Sequence, residues 1–160
     1  MKEIRGDIWD YHDKGKWVII TTNGFVKKNG EAVMGRGVAY QAKQKFPELP
    51  KKLGDRLLEA RSKGSEFWNK PKVFKEFKIV TFPVKHNWWE KGNLDLIELS
   101  SKVLAAAFGF YEEVEPFNDV IYSPRPGCNN GKLDWKDVKP ILEKYLDDKL
   151  IIVDRNVEND

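Results

Sequence analysis

Four short runs rich in β-branched residues punctuate the chain: WVIITT (17–22), KIVTFPV (78–84), NDVIYS (118–123) and LIIV (150–153). A run that is apolar at nearly every position has no face to offer water, so it belongs to a strand covered on both sides. Segments of helical periodicity separate these runs. Val38, Ala39, Ala42 and Phe46 share one face of a helix over 38–46, which Pro47 and Pro50 end. Leu53, Leu57 and Ala60 mark a second helix over 52–63, with Gly64 as its stop. Asn93 caps a third over 94–108, whose inner face carries Leu96, Leu99, Val103 and Ala106. A fourth follows Asp134, with Val138, Ile141, Leu142 and Tyr145 in register; Pro140 predicts an opening turn and then an α-helix with Pro140 near its first position. KEIR (2–5) reads as a short first strand ended by Gly6-Asp7, residues 65–77 carry no clear pattern, and 154–160 are expected to fray. The alternation predicts an α/β domain with a mainly parallel sheet, in which ligands bind at the carboxyl ends of the strands.

Three loops fall at those ends. Residues 23–37 contain NGEAVMGRG and follow WVIITT; 83–93 carry Lys85, His86, Trp88 and Trp89; 123–134 contain PRPGCNNGK. Glycine is retained where φ must be positive or where something approaches the backbone closely. A strand, a glycine loop and a helix start also present the N–H groups that cradle a phosphate. Neither GxxxxGK[ST] nor GxGxxG nor GxSxG occurs, which argues against a kinase, a nicotinamide dehydrogenase and a serine hydrolase. Two glycine loops facing each other suit a diphosphate gripped by backbone amides without a metal or cofactor. The net charge of +3 is compatible with such a grip and too small to imply nucleic-acid binding. At 160 residues the chain reads as one domain, 1–160. One Cys excludes an internal disulfide, and with two His it leaves no Cys/His zinc site. The N-terminal segment is polar and mixed in charge, and the longest apolar run, 103–111, is too short to span a bilayer, so a cytoplasmic protein with no membrane partner is expected.

GDIWD (6–10), NGEAVMGRGVA (29–39), FPVKHNWW (82–89) and PGCNNGKLDW (126–135) together resemble the macro domain, an ADP-ribose-binding module. The four stretches occur in the family's order, and the match runs from about residue 3 to residue 153. They are most similar to the branch that contains the terminal ADP-ribose protein glycohydrolase and the bacterial antitoxins that strip ADP-ribose from DNA. The resemblance implies a three-layer α/β/α fold with a mixed, mainly parallel sheet.

It also implies roles. Asp7 stands where the family accepts a hydrogen bond from the adenine amino group, with the Ile8 amide beside it; as a plain residue it would be a turn former after Gly6. Asn23 and Asn29 resemble the asparagines near the distal ribose, although both precede Gly and so also suit turns. Met34, Gly35, Gly37 and Val38 form the first phosphate loop, and Pro126, Gly127, Cys128, Asn129, Asn130 and Gly131 the second, with Cys128 packing at its base. Lys85 matches the lysine that attacks the anomeric carbon of the distal ribose in this branch. An amine does so only when neutral, and burial or neighbouring cations favour that form. Gly131 stands where some members carry an acid, and Asn129 and Asn130 replace glycines common there. The implied partner is ADP-ribose or an ADP-ribosylated macromolecule, a nucleic acid entering only as a modified substrate. De-ADP-ribosylation, hydrolysis of ADP-ribose 1″-phosphate and recognition without turnover all remain open at this stage.

Overall fold

The computed structural model describes residues 1–158; the part of the expected frayed tail at 159–160 lies outside the described residues. Six strands form one sheet: β1 (Lys2–Arg5), β2 (Val18–Thr22), β3 (Lys72–Phe74), β4 (Ile79–Pro83), β5 (Ile121–Ser123) and β6 (Leu150–Asp154). Their order is β1-β6-β5-β2-β4-β3, parallel throughout except for β3, which runs antiparallel to β4 at one edge. Among the described residues five α-helices cover it: α1 (Ile8–Asp13), α2 (Gly37–Lys45), α3 (Leu49–Ser62), α4 (Leu94–Phe110) and α5 (Trp135–Tyr145).

β2 shows why the fold has three layers. Val18, Ile19 and Ile20 are all fully buried. Val18 and Ile20 pack with Ile8, Trp9, Ala42, Leu53 and Leu57 of α1–α3, whereas Ile19 packs with Ile97, Leu104, Val138 and Leu142 of α4 and α5. Successive side chains point to opposite faces, so an all-apolar strand needs a helical layer on each side. Each such side chain contributes about 1.5–3 kcal/mol by leaving water.

The expected three-layer architecture is therefore present, and several local readings are corrected. Residues 8–13 form α1, with Asp7 capping it by accepting from the Trp9 N–H at 3.0 Å. The unassigned stretch 65–77 supplies the edge strand β3. α5 is continuous from Trp135, with Pro140 inside it rather than at its start. Pro140 and Lys136 are both exposed, so water can serve the carbonyl that loses its helical partner. Asp134 takes the N-cap position of α5, but its side chain makes no capping bond. The tail holds its place further than expected: Asp154 pairs with Arg5 in the sheet, and Val157 is buried. Among the described residues no helix is long and apolar enough to cross a membrane.

Candidate ligand-binding cleft

Because β1, β6, β5, β2 and β4 are parallel, their carboxyl ends meet at one edge of the domain. Gly6-Asp7 follows β1, Arg155 and Asn156 follow β6, and the three sequence-predicted loops follow β2, β4 and β5. Two cavities open there, one of about 610 Å³ and one of about 420 Å³. They share Gly37, Val38, Pro124, Asn129 and Asn130, so they are the two ends of one cleft with a common throat.

The throat has a glycine loop on each lip. Gly37, the first residue of α2, has φ +58°, and Gly127 has φ +76°, both in the left-handed region that favours glycine. Gly131 lies so close to the Gly127 backbone that a Cβ there would collide with it. The second loop is thus folded tightly on itself, and Leu133 N–H closes it by donating to the Gly127 carbonyl at 2.9 Å.

Asn23 lines the larger cavity and holds the first loop in place. Its Oδ1 accepts from Phe25 N–H at 2.9 Å and its Nδ2 donates to the Val33 carbonyl at 3.3 Å. Asn29 does not reach the cleft. It sits at the tip of the excursion between Val26 and Ala32, where Oδ1 accepts from Glu31 N–H and Nδ2 donates to Glu31 Oε1. Turn chemistry accounts for Asn29.

Lys85 lies on the wall of the larger cavity, half-buried, with Nζ donating to the Trp88 carbonyl at 3.0 Å. Burial, reinforced by Arg36 and Lys132, pushes its ammonium below the ordinary lysine range, while Glu90 acts in the opposite direction. Trp88 and Trp89 are more than half exposed, at 52% and 60%, and stand edge to face beside this lysine. His86 turns away to Asn69 and Trp68 and lines neither cavity.

The smaller cavity is polar. Asp7 and Ile8 line it, together with Gln41, the buried Asp154, Arg155 and Asn156. Asp7 Oδ2 faces the Arg155 guanidinium at 3.3 Å, an exposed pair that adds little stability. Substituting Asp7 by Ala should lower unfolding free energy by about 1 kcal/mol in urea titrations, because the α1 cap is lost. Asn preserves the cap, so Asp7→Asn should leave stability intact in the same titrations.

Of the residues expected at the site, Asp7, Ile8, Asn23, Met34, Gly35, Gly37, Val38, Lys85, Gly127, Asn129, Asn130 and Gly131 line the cleft. Asn29, Pro126 and Cys128 line neither cavity. Cys128 packs against the α4–α5 side of the core, and burial pushes its thiol up to about 11, which disfavours a thiolate. Arg36, Glu90, Asp154 and Arg155 are cleft residues that sequence reasoning misses. Their signal was position, since each lies within four residues of a strand end or a loop glycine.

No protein-family model matches the chain, and no curated protein matches it in sequence. Solved structures do. The macrodomain of Thermus aquaticus DarG is 23% identical, with 96% of each chain covered and a TM-score of 0.70. Thermosipho africanus DarTG in complex with ADP-ribose is 21% identical, covering 91% of this chain and 39% of that one, with a TM-score of 0.67. The macrodomain of Mycobacterium tuberculosis DarG is 23% identical over 87% of this chain and 88% of that one, with a TM-score of 0.60. At these identities likeness speaks for architecture, and with the sheet order and the paired glycine loops it establishes that the chain has the macro-domain fold.

Proposed function

We propose that the cleft binds ADP-ribose and that the chain removes ADP-ribosyl groups from a modified macromolecule, with Lys85 Nζ as the nucleophile. The observation that carries this reading is the division of one cleft into two cavities joined at a throat between two glycine loops. ADP-ribose has the same division: a nucleoside, a diphosphate and a second sugar. Cavities of about 420 and 610 Å³ lie within the range of small-molecule sites. The fold shared with a protein solved in complex with ADP-ribose supports the same ligand here. In this arrangement Asp7 and the Ile8 amide take the adenine, Gly35–Val38 and Gly127–Gly131 hold the diphosphate, and Asn23 and Lys85 meet the distal ribose.

The neutral Lys85 amine donates its lone pair to the anomeric carbon as the bond to the acceptor atom breaks. The proton shed by Nζ leaves with that acceptor. Opening of the ribose ring gives an imine, and water then hydrolyses it to ADP-ribose and free Lys85. Glu90, on the same wall, is the carboxylate available to relay these protons. Borohydride should reduce the imine and leave ADP-ribose covalently attached to Lys85, detectable by intact-mass spectrometry and absent in Lys85→Ala. Full turnover without any trapped adduct would argue against the lysine route. Phosphate release from ADP-ribose 1″-phosphate would select a phosphatase. A pure reader is favoured by one feature, the lack of a carboxylate at Gly131 in the second loop. Binding without turnover of any substrate would select it.

A further inference from the structure

Three successive carbonyls hold the loop that carries Lys85, each gripped from a different segment. The Val84 carbonyl accepts from Asn93 N–H at 2.8 Å, and the His86 carbonyl from Gly24 N–H at 3.0 Å. The Lys85 carbonyl between them accepts from a side chain instead, Asn69 Nδ2 at 3.3 Å. The same nitrogen lies 3.1 Å from His86 Nδ1 and donates to it in the tautomer protonated at Nε2. Both Asn69 N–H groups are thus spent on the loop after β4. Its Oδ1 is left buried with no partner among the described residues. Turning the amide over would put oxygen where Nδ2 stands, oxygen against oxygen at the Lys85 carbonyl. Asn69 therefore keeps its grip on Lys85 while carrying an unpaired buried acceptor, which is a cost to stability.

Asn69 is itself held still. It is 4% exposed, in the segment between α3 and β3. Lys72 Nζ donates to the carbonyls on either side of it, those of Trp68 and Lys70. The Trp68 ring lies under the Arg61 guanidinium, 3.8 Å away. Gly24 leaves room, since a Cβ there would stand 2.8 Å from Asn69 Nδ2. Asn69 lines neither cavity. A side chain outside the cleft thus fixes the backbone of the residue whose amine lies on the cleft wall.

We infer that Asn69 is a positioning residue for Lys85, which sets the reach of Nζ toward the anomeric carbon and takes no part in holding the ligand. The inference rests on the Lys85 reading above.

The test compares the unaltered chain with Asn69→Leu and Asn69→Ala. Leu keeps the side chain's volume and Ala introduces no misfit, so a loss common to both belongs to the missing donor. Cyanoborohydride traps the imine formed between Lys85 Nζ and the open-chain aldehyde of ADP-ribose. Water leaves as the C=N bond forms, and hydride then adds to its carbon. Intact-mass spectrometry follows the adduct, with Lys85→Ala giving the background from other lysines. At saturating ADP-ribose both variants should form the adduct about ten-fold or more slowly, the scale of loss that displacing a reacting group produces. ADP-ribose affinity by calorimetry should stay within about two-fold of the parent, since Asn69 is remote from the ligand. Melting curves should show each variant folded at the assay temperature. Adduct formation at the parental rate in a folded variant overturns the inference, as does a rate loss matched by an equal loss of affinity. An unaltered chain that forms no adduct above background removes the Lys85 reading, and this inference with it.

Discussion

Lys85→Ala should lower turnover on an ADP-ribosylated macromolecule by a factor on the order of 10³ or more, while ADP-ribose affinity stays within about three-fold. The asymmetry follows from the role: the amine forms a bond in the reaction but supplies little of the contact area, which belongs to the two loops. Lys85→Arg is the sharper control. It keeps a cation of similar reach, yet guanidinium does not deprotonate and cannot attack. It should therefore be as inactive as the alanine variant. Single-turnover rates of the parent should rise with pH, because only the neutral amine reacts. The midpoint should fall below the 10.5 of an unperturbed lysine, since burial, Arg36 and Lys132 all disfavour the charged form. Parental rates in either variant, or a rate that is flat in pH, would exclude Lys85 as the nucleophile.

Lys72→Met should abolish a rise in stability that the parent shows as pH climbs above about 8. Lys72 lies in the edge strand β3 with 8% of its surface exposed, and Nζ donates only to the Trp68 and Lys70 carbonyls, each at 3.0 Å. No described carboxylate pairs with it. Burial first, then Lys70 and Arg56, lowers it from 10.5 to about 8. Above pH 8 the folded chain gives up this proton while the unfolded chain keeps it until about 10.5. The unfolded state then binds more protons, so Lys72 contributes a rise in stability across that window. Below it both states are charged and the folded one bears the full penalty of about 3 kcal/mol. Removing the amine relieves that penalty but also forfeits two hydrogen bonds from a charged donor, worth about 1.5 kcal/mol each, so variant and parent should be nearly equal in stability near neutral pH. Urea unfolding at about pH 7 and pH 10 measures the gap between variant and parent. It should open in the parent's favour as pH rises through this window. A gap independent of pH would show that Lys72 is not strained by its burial.

The sheet is legible in the sequence because β4 is buried at every position and β2 at every position but Thr21, leaving no alternative assignment for such β-branched runs. Helix ends are legible where the cap is chemical: Asn93 accepts from Leu96 N–H, and Gly64 takes φ +67° after α3. Short elements are not. α1 has six residues and is fixed by the packing of Ile8 and Trp9 and by the Trp9 Nε1 bond to Gln41, a contact across the fold. β3 has three residues and exists because β4 offers it an open edge. The site shows the same division. Asn23 and Asn29 both precede glycine, and only the fold separates them: one ends β2 at the cleft, the other points its loop at α3, where Gly30 touches Gly54. Nor does the sequence distinguish Lys72 from Lys85 by burial. Each is a lysine next to a valine, and only the packed loops place one in the sheet edge and the other on a cavity wall.

A crystal structure of the chain with ADP-ribose is the most direct measurement of where the diphosphate lies. Its oxygens should sit within hydrogen-bond distance of backbone N–H groups from both 35–38 and 127–131, with adenine beside Asp7 and the distal ribose beside Lys85. A ligand bound outside that throat, or with its adenine in the larger cavity, would contradict this assignment.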